Sequence, residues 1–250
     1  MRIMLVNDDG CHAVGIQTLG RALIAAGHQV TVCAPDRERS AASHSFTFSK
    51  PITVEKFSEN GVSGYAIGGT PADCASLGLH LLDYQVDMVI SGINHGPNLG
   101  GACIYSGTAN AAIQASMGGV PAMAVSLGDF KKQYNFEAAA QVALKVLDII
   151  KDKPLEMGEI YNLNIPDVAY EEIKGVRPAT LSRDFLCPTR YTKLETEDGS
   201  DAYKVVFGST AENTDPECDT VLVANGWATL SVLTWNMVPK RDVEIPEIGL

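Results

Sequence analysis

What this sequence lacks narrows its function before any residue is given a role. None of its apolar stretches approaches the roughly 20 residues needed to cross a bilayer. Its start runs straight into a strand without a basic, apolar, small-residue leader. Both absences lead us to expect a soluble, cytoplasmic protein with no membrane partner. Basic residues are scarce, 19 Lys and Arg against 30 Asp and Glu, and the resulting charge of −11 repels the phosphates of long nucleic acids. The six cysteines form no CxxC pair and have no companion histidines at zinc spacing, which leaves them as reduced, structural thiols. There is no Walker lysine motif and no GxGxxG after the first strand, which argues against nucleoside triphosphatase and dinucleotide-binding roles. Repeats and low-complexity tracts are absent too.

What is present is an alternation of strand and helix patterns. Residues 3–6, 29–34, 86–90, 122–126 and 161–165 read as buried strands, and 14–26, 71–82, 106–117 and 135–150 as helices. Residues 52–67 read as two short strands around Asn60-Gly61, a hairpin signal. After Pro166 the texture changes. Residues 173–178, 202–208 and 228–234 look like strands, Asn225-Gly226 is a second hairpin signal, and 195–201 and 212–219 are rich in turns. The fold class is therefore α/β: a Rossmann-like, mostly parallel sheet flanked by helices, with a β-rich C-terminal appendage. We take 1–166 as the core and 167–250 as an extension that completes the fold and mediates oligomerisation, one domain of 250 residues overall.

Chemistry gathers at the ends of the strands. The first strand stops at Asn7-Asp8-Asp9-Gly10, and in open α/β sheets ligands bind beyond the carboxyl ends of the strands. Two adjacent carboxylates there repel each other and lose hydration unless a cation or donor network lies between them. A solvated turn is the plainer reading of the same four residues. Two further polar clusters follow later strands: the loop 37–45 with Ser40, and Ser91-Gly92-Ile93-Asn94. If those strands are parallel neighbours, Asp8, Asp9, Ser40 and Asn94 offer two charged and two neutral oxygens, a donor set for one hard divalent cation per subunit, Mg²⁺ or Mn²⁺, with Ca²⁺ as a substitute in crystals. Ser106-Gly107-Thr108 opens a helix, where peptide N–H groups and the helix dipole favour an anion. Arg37 and Arg39 are candidate supplements to that anion site, and His12 and His95 candidate substrate contacts. A cation beside an anion site fits metal-assisted phosphate ester hydrolysis, with attack on phosphorus either by water or by Asp8 or Asp9 themselves.

At these residues the chain resembles the SurE family of stationary-phase survival nucleotidases. The matching text is NDDG at 7–10, APDR followed by Ser40, GTPADC at 69–74, SGIN and GPNLG within 91–100, YSGT at 105–108 and, more weakly, IKGVR at 173–177. The resemblance implies Asp8, Asp9, Ser40 and Asn94 as metal ligands, with Asp8 and Asp9 catalytic. It places Asn98, Ser106, Gly107 and Thr108 on the phosphate and substrate side. It implies a 5′-nucleotidase acting on nucleoside monophosphates, possible 3′-nucleotidase and exopolyphosphatase activities, and a homodimer or homotetramer. The chain departs from the family in carrying Gly101-Ala102 where an acidic pair is usual, and Ala41-Ala42-Ser43-His44-Ser45 where GASNS is usual.

Two other classes also place acidic residues after a first strand. Receiver domains need a further aspartate after the third strand, where this chain has Ser91-Gly92, and haloacid dehalogenase phosphatases need D-x-D, whereas Asp8 and Asp9 are adjacent. A non-catalytic protein that binds metal and nucleotide is the remaining alternative.

Overall fold

In a computed structural model, residues 1–128, 134–153, 155–183, 187–196, 200–208 and 215–235 are described. Strand β1 (Arg2–Val6) sets the pattern for the sheet. Ile3 and Leu5 join the apolar cluster on one face, Met4 and Val6 the cluster on the other, and all four are buried. That period of two over uniformly apolar residues is what a strand covered on both sides requires.

Six strands run parallel in the centre. They are β4 (Val62–Ile67), β2 (Gln29–Pro35), β1, β5 (Met88–His95), β6 (Ala122–Gly128) and β7 (Glu159–Pro166), in that spatial order. On one edge β3 (Val54–Glu59) pairs antiparallel with β4, so Asn60-Gly61 closes a hairpin as its composition predicts. Helices α1 (Val14–Ala25) and α4 (Phe136–Ile150) cover the Leu5 face; α2 (Pro71–Leu81) and α3 (Gly107–Met117) cover the Met4 face. In α4 the buried Phe136, Ala139, Ala140, Ala143, Val146, Leu147 and Ile150 recur at three and four residues, one continuous helical stripe. Thr70 caps α2 with a reciprocal capping box to Asp73, as Thr70-Pro71 foretells.

The connections run outward from β1 in opposite directions, to β2 on one side and to β5, β6 and β7 on the other. The crevice between the carboxyl ends of β1 and β5 is therefore the topological switch point of the sheet, where this fold class binds ligands.

The structure corrects the sequence reading in three places. Strand β5 does not stop at residue 90. After a register shift between Ser91 and Asn94 it resumes pairing with β6, Asn94 opposite Ser126 and His95 opposite Leu127, so the polar cluster continues the strand rather than forming a loop. Next, the β-rich C-terminal extension carries, among the described residues, one strand more than its sequence announces, and two of its strands join the main sheet. β11 (Ala228–Thr234) pairs antiparallel with β7, and β8 (Val176–Pro178) pairs parallel with β11, so the main sheet has nine strands. Among the described residues only β9 (Cys187–Glu195) and β10 (Asp201–Gly208) stand apart as an antiparallel pair, and β9 is the strand the sequence did not announce. The turn-rich stretches 195–201 and 212–219 lie partly outside the described residues.

The third correction concerns Asn225-Gly226, which ends helix α5 (Asp219–Ala224) instead of turning a hairpin. Gly226 takes φ 82°. Its N–H donates to Val223 O and that of Trp227 to Leu222 O, the paired bonds of a Schellman stop. An L side chain is strained there, so Gly226→Ala should lower unfolding free energy by about 1 kcal/mol. The measurement is the urea midpoint at unchanged slope; an unshifted midpoint would remove this account of the helix end.

Candidate active site

Burial and hydrogen bonding at the switch point begin with Asn7. Its side chain is fully buried and closes the turn after β1 on itself, Nδ2 donating to Gly10 O at 2.9 Å and Oδ1 accepting from Gly10 N–H at 3.2 Å. The turn so held turns Asp8 inward, to 5% exposure. Asp8 Oδ1 accepts from the Thr108 hydroxyl at 2.5 Å, and the same hydroxyl oxygen lies 3.2 Å from Asn94 Oδ1. Asp9 Oδ2 accepts the His95 N–H at 3.2 Å, and its Oδ1 is 3.7 Å from His95 Nδ1. The strand end of β1, the strand end of β5 and the first turn of α3 thus meet through Asp8, Asp9, Asn94, His95 and Thr108.

Gly107 allows that meeting. A Cβ there would stand 2.7 Å from Asp8 Cβ and 2.8 Å from Asp8 Oδ2, so any larger residue would push the first turn of α3 off the carboxylate. Ser106 caps α3: its Oγ accepts from Ala109 N–H at 2.9 Å, and the residue is 7% exposed. The cap leaves the peptide N–H groups of Gly107 and Thr108 at the positive end of the helix, next to Asp8.

Both carboxyls titrate high. Burial, opposed by the Thr108 hydroxyl and reinforced by the charge of Asp9, raises Asp8 from 3.8 to about 6. Burial, opposed by the His95 N–H and reinforced by Glu38, raises Asp9 to about 6. Burial also lowers the pKa of His95, so its imidazole is a poor counter-charge. Among the described residues no Lys or Arg pairs with either carboxylate. Two desolvated carboxylates with only neutral donors about them carry uncompensated negative charge, which suits a cation. Asn94 commits its Nδ2 to Gly96 O at 2.8 Å, which directs its Oδ1 toward Thr108 and Asp8. The candidate donors Asp8, Asp9, Ser40 and Asn94 all offer oxygen, and among the described residues no three His, Cys, Asp or Glu side chains gather as metal ligands, at this site or away from it.

The other candidates are placed differently. Ser40 is exposed, with Oγ donating to Glu38 Oε1 at 2.8 Å. It is tied to the site through its neighbour, since Arg39 N–H donates to Asp8 O at 2.6 Å. The Arg39 guanidinium lies 3.5 Å from Asp36, with Nε buried and unpartnered among the described residues, and Arg37 is exposed beside the same Asp36. His12 pairs with Glu59 at 2.6 Å, on the outer strand β3. Cys11 is fully buried, its thiol pushed up to about 11, and Cys103 is pushed up to about 12, both by burial. Neither is poised to react at neutral pH.

Asn98 is 5% exposed, and its Nδ2 donates to Ser126 Oγ at 2.8 Å. Its N–H donates to Asn164 Oδ1, while its carbonyl accepts from Asn162 and Asn164 amides at 3.0 Å. This ladder of Ser126, Asn162 and Asn164 fixes the 96–100 segment against β6 and β7, and sequence reasoning passed over it. The signal was available: asparagine on alternate positions of an otherwise apolar strand, Tyr161-Asn162-Leu163-Asn164-Ile165, marks polar side chains needing buried partners. Asp219 gave no such signal. From α5 its carboxylate accepts the N–H groups of Gly100 at 2.7 Å and Ser182 at 2.8 Å, the former across more than a hundred residues of chain.

Comparison with known proteins places the chain in one family. A family model described as survival protein SurE matches residues 3–186. The chain is 40% identical over 242 residues to a 5′-nucleotidase SurE of Synechococcus sp. (strain JA-3-3Ab), covering 93% of this chain and 91% of the relative. It is 40% identical over 250 residues to a 5′-nucleotidase SurE of Clostridium botulinum (strain 657 / Type Ba4), covering 99% and 98%. Among solved structures, the SurE protein from Aquifex aeolicus superposes with a TM-score of 0.81 at 32% identity, over 96% of this chain and 95% of that one.

The raised carboxyls have a measurable cost. The folded Asp8 carboxyl titrates near 6 and the unfolded one near 3.8. The penalty is therefore absent below about pH 4, grows between 4 and 6, and is complete above 6. In chelator, Asp8→Asn should unfold at a higher denaturant concentration than wild type above pH 6, by up to about 3 kcal/mol at 1.36 kcal/mol per pKa unit, and lose that advantage below pH 4. A variant less stable than wild type at pH 8 would contradict the assignment.

Proposed function

This chain belongs to the SurE family, and on that footing we propose that it is a metal-dependent phosphomonoesterase that hydrolyses nucleoside monophosphates to nucleoside and inorganic phosphate. The observation that carries the reading is the meeting, through Thr108, of Asp8, Asn94 and the start of α3 at the switch point of the sheet. Asp8, Asp9, Ser40 and Asn94 are the residues that would hold a divalent cation, Mg²⁺ or Mn²⁺. When bound, such a cation supplies charge neutralisation and Lewis acidity to phosphoryl oxygens.

The chain's own residues do the rest. The phosphate lies at the first turn of α3, where the N–H groups of Gly107 and Thr108 and the helix dipole favour its charge. Ser106 keeps that turn formed, and the absent Cβ of Gly107 lets the turn pack against Asp8. Asn98, held by Ser126 and Asn164, fixes the neighbouring segment on the substrate side. One oxygen of each carboxylate is already committed inside the fold, Asp8 Oδ1 to Thr108 and Asp9 Oδ2 to the His95 N–H. That commitment favours holding over attack, so water rather than an aspartate is the nucleophile. Water forms the new bond to phosphorus, the ester bond to the nucleoside oxygen breaks, and a proton passes in net from water to that leaving oxygen.

The test is phosphate release from adenosine 5′-monophosphate with Mg²⁺, with Mn²⁺ and with chelator, alongside Asp9→Asn. Release should require metal, and the variant should fall at least about a hundredfold, the scale on which a centre loses charge stabilisation. No release with any metal, or an equally active variant, defeats the proposal; nucleotide binding without release would select the non-catalytic alternative. Including 3′-nucleotides and short polyphosphate in the panel decides how far the activity extends.

The same reading includes assembly into a homodimer or homotetramer. The exposed hairpin of β9 and β10 supports it, because Tyr191, Leu194 and Tyr203 face solvent and a two-stranded hairpin is marginal on its own. Light scattering on the purified chain should give a mass of two or four subunits; a monomer at micromolar concentration would refute assembly.

A further inference from the structure

Beyond Asp9 the site continues into an aromatic ledge that the hydrolytic reading does not use. The His95 ring lies 4.9 Å from Phe136 and 5.9 Å from Tyr134, centroid to centroid, and Tyr134 and Phe136 are parallel to within 4° at 5.9 Å. Phe136 is buried at the start of α4, whereas Tyr134 is 46% exposed. The tyrosine is firmly held. Its φ is 57°, a left-handed conformation that an L residue keeps only where its surroundings over-determine it. Those surroundings are the carboxylate of Asp167, 1% exposed just past the end of β7. Its Oδ2 accepts the Tyr134 N–H at 2.8 Å, and its Oδ1 accepts the Asn135 N–H at 2.8 Å and Asn135 Nδ2 at 3.0 Å. A buried carboxylate, a strained backbone and two ring neighbours thus present one half-exposed aromatic face next to the carboxylate pair.

We propose that Tyr134, with His95 beside it, is the platform on which the base of a bound nucleotide stacks, and that it makes this chain prefer nucleoside monophosphates to phosphate esters without a base. The proposal rests on the phosphomonoesterase reading for the position of the phosphate. With the phosphate at Asp8 and the start of α3, the path past Asp9 and His95 leaves the ribose to span the gap and the base to reach Tyr134. Every base offers a π face, so such a platform selects for a base without selecting strongly among bases, with purines favoured by their larger rings.

The experiment compares adenosine 5′-monophosphate with ribose 5-phosphate in wild type, Tyr134→Ala, Tyr134→Leu and Tyr134→Trp. The readout is the ratio of kcat/KM for the two substrates, together with the ratio of their affinities in chelator, where metal-dependent turnover is arrested. Both ratios should fall about tenfold in the Ala and Leu variants, carried by KM, and be retained in Trp; tenfold lies in the lower range of what stacking on one ring supplies. The Leu variant keeps bulk at the site and covers the case in which Ala unfolds. Ratios unmoved in both Ala and Leu overturn the platform while leaving hydrolysis standing. If wild type hydrolyses neither substrate but the affinity ratio still depends on Tyr134, the phosphomonoesterase reading falls and the platform stands.

Discussion

Two adjacent desolvated carboxylates, with no Lys or Arg partner among the described residues, are the constraint around which this molecule is arranged. Desolvation raises both carboxyls to about 6, with the charge of Asp9 adding to the rise of Asp8 and that of Glu38 to the rise of Asp9. The fold moderates the cost with neutral donors and dipoles. Asn7 locks the turn, Thr108 gives its hydroxyl to Asp8, His95 gives its N–H to Asp9, and α3 aims its positive end at the pair. Thr108 and His95 lie on a different helix start and a different strand end, so the carboxylates determine which elements must converge. Those donors are neutral and stop short of cancelling the charge of the pair. Strain of this kind is stored where a protein does its chemistry.

The rest of the structure holds that convergence in place. The Ser126, Asn162 and Asn164 side chains of β6 and β7 pin Asn98, and Asp219 on α5 pins Gly100. The C-terminal extension therefore supports the site through one strand pair and one carboxylate. Hydrogen bonds in such a buried network hold more strongly than on the surface, and among the described residues the network leaves one buried atom, Asn162 Oδ1, without a partner. The apolar clusters on the two sheet faces act more simply, keeping β1 and β5 in register so that the strand ends stay level.

Much of this was legible in the sequence. The strand and helix alternation through residue 165 followed from apolar periodicity, since β1 and α4 bury the faces their patterns predict. Thr70-Pro71 announced α2 because capping is local chemistry. Local chemistry misled at Asn225-Gly226, where the same dipeptide serves a hairpin or a helix stop and only the preceding turn of helix decides. It misled again at Ser91-Gly92-Ile93-Asn94, because polar residues extend a strand when a neighbouring strand offers backbone partners, and that neighbour is not written in the segment.

By itself, then, the sequence determined the residue types available at each strand end: a carboxylate pair, two amide or hydroxyl oxygens, a capped helix start. Those properties are set by covalent identity and by contacts within a few residues. The tertiary structure alone decided which of them touch. Thr108 reaching both Asp8 and Asn94, Asp219 reaching Gly100, and the C-terminal strands closing onto β7 all join residues separated in the chain. Such contacts arise from sheet order and packing, which depend on the free energy of the whole fold rather than of any one segment.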